Sequence, residues 1–184
     1  MSFTPRLTAP SNDDLHWIHT SHGGYNRCII INSSTGSVIP NCVGYAWGRF
    51  LEENGLTTCN LSTSNAENWY SHVDEYARGQ EPKLGAVLCF EGVGSKAGHV
   101  AVVEQINQDG SIVTSNSAYG GTRFYTQTLY PPSYNMGSGY VFQGFIYPPN
   151  VTPDPPTPTP TDENKHRFKW VLYSRKIRER TQIK

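Results

Sequence analysis

The chain has 184 residues, and its 15 Lys and Arg balance its 15 Asp and Glu. This length suits one domain with a hydrophobic core plus an appendage, and the 12% aromatic content fits a packed body. The longest apolar runs, such as residues 97–103, fall far short of the roughly 20 residues of a transmembrane helix, which argues against a membrane-spanning protein.

Charge is distributed unevenly along the chain. Residues 1–150 carry 7 Lys and Arg against 11 Asp and Glu, whereas residues 161–184 carry 8 against 3. This asymmetry predicts a mildly acidic body with a basic tail. The start of the chain shows no basic segment followed by an apolar one, so we expect no secretory signal peptide.

The first half of the body predicts helices. Ser11, followed by two acids, is a candidate N-cap for a short helix to Ile18, and a Gly-rich loop follows. A second helix is predicted from Cys42 to Glu53, where Asn54-Gly55 ends it. A third is predicted over Ala66–Tyr76.

The second half of the body predicts strands. Five runs rich in β-branched and aromatic residues are separated by Gly, Asp-Gly and Pro-Pro turns: 85–90, 99–104, 111–115, 122–126 and 140–147. The segment Asn107-Gln-Asp-Gly is a hairpin connection between two of them. The prediction is an α+β domain with N-terminal helices packed on a five-stranded antiparallel sheet.

Composition changes after Pro148. Residues 149–161 are rich in Pro and Thr and predict a semi-rigid polyproline II linker. Residues 162–184 form a basic tail, too short to bury a core of its own. The predicted organisation is therefore a domain at 1–148, a linker and a tail.

Four cysteines lie at positions 28, 42, 59 and 89, without a C-x-x-C pair, so a zinc ribbon is improbable. Cys28, Cys59 and Cys89 are expected to act mostly as small buried hydrophobic residues, although disulfide pairing stays open. Cys42 differs because it opens a helix, whose first turn favours a thiolate and lowers a thiol pKa. His99 opens an apolar run and Asn116 closes another, so the chain order is Cys, His, Asn, as in papain-like hydrolases.

Several segments resemble one known family. NCVGYAWGRF, PKLGAVLCF, GHVAVVEQI, DGSIVTSNSAYGGTRFYTQTL and YVFQGFIY, in this order, are similar to the CHAP domain over roughly residues 20–148. This is the cysteine, histidine-dependent amidohydrolase/peptidase of bacteriophage endolysins and bacterial cell-wall hydrolases. The resemblance implies a papain-like fold and cleavage of peptidoglycan, either between muramic acid and L-alanine or within the peptide.

By this resemblance, Cys42 is the nucleophile, His99 the general base and acid, and Asn116 the residue that orients the imidazole. Many CHAP domains carry a glutamate two residues before this asparagine, where Thr114 stands here. A carboxylate-assisted histidine is therefore in doubt. Ser115 or Ser117 is an alternative neighbour for the imidazole.

Two further residues are candidates for substrate binding. Asn41 would help the Cys42 backbone N–H to hold the oxyanion, and Tyr119 either stacks on the peptide stem or packs as an ordinary aromatic. Some relatives bind calcium in a loop before the cysteine, but residues 31–41 contain no acid, so we expect no calcium there. We do not expect His16, His19 and His22 to form a metal site, and no cofactor is predicted.

The resemblance points to a peptidoglycan hydrolase of the phage endolysin type, an amidase or an endopeptidase. We expect it to be made in the cytoplasm of a Gram-positive bacterial host and released to the cell wall by a holin. The alternatives are a virion-associated lysin and a non-catalytic wall-binding module. The expected partners are peptidoglycan and, for the basic tail, anionic wall polymers or a membrane surface; we expect a monomer and no nucleic acid.

Overall fold

One α-helix, one sheet and two short 3-10 helices form the regular structure in the part of the chain that the computed structural model describes. That part comprises residues 3–11, 14, 16, 40–121 and 123–149. The helix is α1, and the strands in chain order are β1 to β6: α1 (Cys42–Asn54), β1 (Arg78–Gly79), β2 (Val87–Gly92), β3 (His99–Ile106), β4 (Ile112–Ser117), β5 (Phe124–Leu129) and β6 (Tyr140–Ile146). None of the helices found in these ranges is both long and apolar enough to cross a membrane.

Helix α1 begins and ends as its sequence predicts. The Asn41 side-chain oxygen accepts the Gly44 N–H at 3.1 Å, which caps the first turn. Gly55 ends the helix in the left-handed conformation, with φ of 61°. Six apolar side chains of the helix are buried: Val43, Tyr45, Ala46, Trp47, Phe50 and Leu51. Burying each large one stabilises the fold by about 1.5–3 kcal/mol.

All six strands belong to one antiparallel sheet with the order β1-β6-β2-β3-β4-β5. The five predicted strands are present, so the α+β class is confirmed. The expected count was one strand short, because β1 has only two residues and no periodic pattern. The predicted hairpin is also confirmed: Asn107 N–H bonds Ser111 O at 2.8 Å, and Gly110 has φ of 81°.

The predicted helix at Ala66–Tyr76 is wrong. Only a short 3-10 helix, Ala66–Asn68, forms there. The Arg78 guanidinium is paired with both carboxylate oxygens of Asp74, at 2.7 and 2.8 Å. It also donates to the backbone carbonyls of Trp69, Tyr70, His72 and Tyr76. These carbonyls therefore bond to a side chain from outside the segment.

The sheet separates two hydrophobic cores. On one face, α1 packs against side chains from β2, β3 and β6, among them Val87, Cys89, Val100, Val102 and Ile146. The other face buries Leu88, Phe90, Ala101, Val103 and Phe145 beneath Tyr134. Alternation along β3 sends successive side chains to different cores.

Several predictions fall outside the described residues. They are most of the helix predicted from Ser11 to Ile18, the Gly-rich loop after it, nearly all of the linker and the tail at 162–184. The proposed boundaries at 148 and 161 stay predictions.

Candidate active site

His99 and Asn116 meet where β3 begins and β4 ends. The two strands are neighbours, and the register that pairs Val102 with Ser115 places both side chains on the same face of the sheet. The His99 Nε2 atom lies 3.0 Å from the Asn116 Oδ1 atom. Both residues are buried, with 6% and 1% of their surface exposed.

Thr114 fixes the orientation of the Asn116 amide. The Asn116 Nδ2 atom donates to the Thr114 hydroxyl at 3.0 Å and to the Thr114 carbonyl at 3.3 Å. The hydroxyl itself donates to the Gln127 carbonyl at 3.1 Å. Only the NH₂ end of the amide can donate, so Oδ1 faces the imidazole and the proton belongs on His99 Nε2. His99 Nδ1 is then the basic nitrogen.

Cys42 lies near the start of β3, and it packs against the core on the α1 side of the sheet. It is the first residue of α1, and the backbone N–H groups of Val100, Val43 and Cys42 itself face its thiol. The nucleophile candidate therefore lies against the residue that follows His99. In the described part of the chain, no hydrogen bond joins the Cys42 thiol directly to the imidazole. Such bonds are often long before substrate binds.

Burial determines the protonation states of this pair. It raises the pKa of the Cys42 thiol; the three N–H groups oppose this shift and the Glu67 carboxylate adds to it. It lowers the pKa of His99, with the Asn116 hydrogen bond opposing and Lys96 adding to the effect. The position of Cys42 at the helix start predicted a lowered thiol pKa. In the free protein the pKa is raised instead, because desolvation outweighs the helix N–H groups. At neutral pH the pair is a thiol and a neutral imidazole.

Neither serine alternative bonds to the imidazole. Ser115 lies on the opposite face, where its hydroxyl donates to Glu104 at 2.6 Å and accepts from the Tyr45 hydroxyl at 2.8 Å. The Ser117 hydroxyl donates to the Pro40 carbonyl at 2.5 Å. Ser117 therefore links β4, the strand that carries Asn116, with the segment that precedes α1. No local sequence pattern predicts this contact.

The two predicted substrate-binding residues lie at different places. The Asn41 oxygen is occupied as the cap of α1, which leaves only its NH₂ group for an oxyanion. Tyr119 begins a 3-10 helix after β4 and is 88% exposed, so it does not pack into either described core. Roles in substrate binding stay predictions for both.

Three residues that the sequence did not single out lie near His99 or contact its immediate neighbours. The Tyr140 ring centroid lies 6.1 Å from that of the imidazole, and the Lys96 Nζ atom lies 3.9 Å from the Tyr140 centroid. The Glu67 carboxylate accepts the Gly98 N–H at 3.1 Å. Tyr140 and Glu67 come from distant segments, so only the fold brings them to His99.

The described residues contain no group of three His, Cys, Asp or Glu side chains that could hold a metal ion. His16 bonds Asp14 at 2.8 Å, whereas His19, His22 and residues 31–39 lie outside the described ranges. The absence of calcium therefore stays a prediction. Cys42, Cys59 and Cys89 are free thiols, and the last two are buried as expected; Cys28 is not described.

Comparison with known proteins identifies the same region. Residues 32–118 match the family model of the CHAP domain. An N-acetylmuramoyl-L-alanine amidase domain-containing protein of Staphylococcus aureus is 35% identical over 86 residues, which cover 44% of this chain and 14% of that protein. The crystal structure of an N-acetylmuramoyl-L-alanine amidase from Staphylococcus aureus aligns with a TM-score of 0.42 and 27% identity, over 56% of this chain and 30% of that one. The chain thus matches only a small part of these longer relatives.

Proposed function

Residues 32–118 of this chain are a CHAP domain, and on that premise we propose that the chain hydrolyses peptidoglycan, cleaving an amide bond through Cys42. The observation that carries this proposal is the hydrogen-bonded series Thr114–Asn116–His99, which leaves Nδ1 as the basic nitrogen. The Cys42 thiol faces the backbone N–H of Val100, the residue that follows His99. The relative that is 35% identical, an N-acetylmuramoyl-L-alanine amidase domain-containing protein, supports the same class of substrate.

The first half of the reaction forms an acyl-enzyme. His99 Nδ1 takes the thiol proton as the Cys42 sulfur attacks the amide carbonyl carbon. The oxyanion is held by the N–H groups of Cys42 and Val43, which face the thiol, and by the Asn41 NH₂ group. The C–N bond breaks when the His99 imidazolium protonates the leaving nitrogen, so the amine departs and a thioester remains.

The second half releases the product. His99, now neutral again, removes a proton from a water molecule that attacks the thioester carbonyl. The C–S bond breaks, the thiolate regains its proton from the imidazolium, and the carboxylic acid leaves. Asn116 stabilises the imidazolium in both halves through its Oδ1 atom.

A turbidity assay on Gram-positive cell walls tests the proposal. The wild-type protein should clear the suspension and Cys42→Ala should not, whereas Cys59→Ala, a buried thiol far from the pair in sequence, should behave as wild type. If the wild type clears no wall, hydrolysis is refuted. The new ends identify the bond: muramic acid free of peptide indicates an amidase, and new amino termini within the peptide indicate an endopeptidase.

A second candidate is a wall-binding module that does not cleave its ligand. It is favoured by the burial that raises the pKa of the Cys42 thiol. Pelleting with walls that the wild type does not clear would support this alternative.

The biological setting that we propose is lysis by a phage endolysin, made in the host cytoplasm and passed to the wall by a holin. The alternative is a virion-associated lysin that opens the wall at infection. Appearance of the protein only late in infection supports the first, and co-purification with virions supports the second.

A further inference from the structure

A lysine is held beside the catalytic pair. The Lys96 ammonium lies over the Tyr140 ring, with Nζ 3.9 Å from the centroid, and the same ring lies 6.1 Å from the His99 imidazole. A cation–π contact restrains a side chain that is otherwise flexible, so less conformational entropy is lost when Lys96 binds an anion.

The backbone leaves room for this arrangement. A Cβ atom at Gly139 would lie 2.3 Å from Lys96 Nζ and 2.8 Å from its Cδ, so the lysine passes directly over the glycine. Lys96 is exposed, and the ion pairs found among residues 3–11, 14, 16, 40–121 and 123–149 give it no carboxylate partner. Its charge is therefore presented to solvent at the edge of the site.

A positive charge at this position opposes the proposed chemistry in the free protein. His99 must become an imidazolium during each half of the reaction, and Lys96 disfavours that form. An anion bound to Lys96 would offset the repulsion. Among the described residues, the charged side chains that act on the pKa values of Cys42 and His99 are Glu67 and Lys96. The Glu67 carboxylate repels an anion, so Lys96 is the better partner of these two.

We propose, on the basis of the proposed function, that Lys96 and Tyr140 form a subsite that binds a free carboxylate of the peptidoglycan stem peptide. Stem peptides carry such carboxylates, which some cell walls convert to carboxamides. The subsite would therefore distinguish acidic stems from amidated stems, through an ion pair that only the carboxylate can make.

A pair of soluble muramyl peptides tests this proposal. They differ only in one stem group, a carboxylate in one and a carboxamide in the other. The wild-type kcat/KM should favour the carboxylate peptide by about tenfold, the size expected for a hydrogen bond to a charged group. Lys96→Met should reduce this ratio to about one, and Lys96→Arg should keep most of it.

Lys83→Met is the matched control. Lys83 also lies over a tyrosine ring, with Nζ 5.8 Å from the Tyr147 centroid, but it precedes β2 and is remote from His99 in the sheet. This variant removes the same charge and should retain the wild-type ratio. An equal loss for both peptides in Lys96→Met, or a ratio that Lys96→Met leaves unchanged, would overturn the subsite.

A binding measurement distinguishes failure of the proposed subsite from failure of the proposed hydrolysis. The dissociation constants of both peptides are measured by calorimetry for the Cys42→Ala protein, with and without Lys96→Met. About tenfold tighter binding of the carboxylate peptide that disappears with Lys96→Met supports the subsite even if the wild type proves unable to cleave either peptide. Equal affinity for the two peptides, or no binding of either, refutes it.

Discussion

The side-chain amide of Asn116 determines which nitrogen of His99 carries a proton. Its NH₂ group is committed to Thr114, so its oxygen must accept from His99 Nε2. Thr114 therefore acts on the imidazole through Asn116 and is a positioning residue. Thr114 stands where many CHAP domains carry a glutamate, and here its hydroxyl orients Asn116 without a carboxylate.

Thr114→Val tests this role. The substitution keeps the shape of the side chain but removes the acceptor for Asn116 Nδ2, so the amide and the imidazole lose orientation. We expect kcat on a soluble peptide fragment to fall about tenfold with little change in KM, which corresponds to about 1.4 kcal/mol. Thr114→Ser should restore most of the rate. Thr128→Val, on an exposed position of β5, is the control; an unchanged kcat in Thr114→Val would contradict the role.

The pH dependence of kcat/KM follows from the two protonation states. The proposed reactive form has a neutral imidazole, and burial together with Lys96 lowers the pKa of His99. Activity should therefore persist below the ordinary histidine pKa of about 6.5 and fall only at more acidic pH, as the imidazole becomes protonated. Rates on a soluble fragment from pH 4.5 to 9 measure this limb. An acid limb centred above about pH 7 would contradict it.

Alkylation by iodoacetamide compares the described thiols. Burial raises the pKa of Cys59 to about 11 and also raises that of Cys89, and both side chains are less exposed to solvent than Cys42. We expect Cys42 to react first, but slowly at pH 7 and faster as pH rises, because its own pKa is also raised. Mass spectrometry of labelled peptides gives the order. Equal labelling of the three would remove the basis for treating Cys42 as the nucleophile.

At the scale of elements, local sequence signals were sufficient to predict the helix and most of the strands. Cap residues and an apolar face defined α1, and alternation with turn residues located β2 to β6. They failed at Ala66–Tyr76, because Arg78 binds carbonyls that a helix would have used. The contact of Tyr140 with His99 could not be predicted from local signals either. It depends on the pairing of β6 and β2, which includes a register shift.

Arg78→Ala should destabilise the segment that it organises. The substitution leaves the Asp74 side chain, which has no exposed surface, without its ion pair and several carbonyls without a donor. We expect a loss of about 3 kcal/mol in the free energy of unfolding, measured with urea. Arg78→Lys should lose less, and Arg123→Ala, at an exposed arginine that follows β4, should lose under about 0.5 kcal/mol. A loss for Arg78→Ala as small as this control would refute the explanation.

At the scale of the whole molecule, charge divides the chain. The acidic body holds the candidate site, whereas the basic tail at 162–184 is separated from it by the proline-rich linker. We propose that the tail adheres to anionic wall polymers or to a membrane surface, raising the local concentration of the enzyme.

Removal of residues 162–184 tests the tail. The truncated protein should pellet less with cell walls, most visibly at low salt, because screening weakens attraction between exposed charges. Turnover of a soluble peptide fragment should not change. If the truncated and full-length proteins pellet equally at every salt concentration, the tail is not a targeting element.

The sheet that separates the two cores also divides the candidate site. Cys42 leads the helix of one core, while His99 stands on the face that belongs to the other, next to Phe90 and Tyr140. Repacking of either core should displace one of the two proposed reacting groups relative to the other, even when no residue near them is altered. Among descendants of this sequence, core substitutions should therefore be tolerated in compensating sets that span the sheet, and a lineage that drifts in one core alone would lose turnover before it loses its fold.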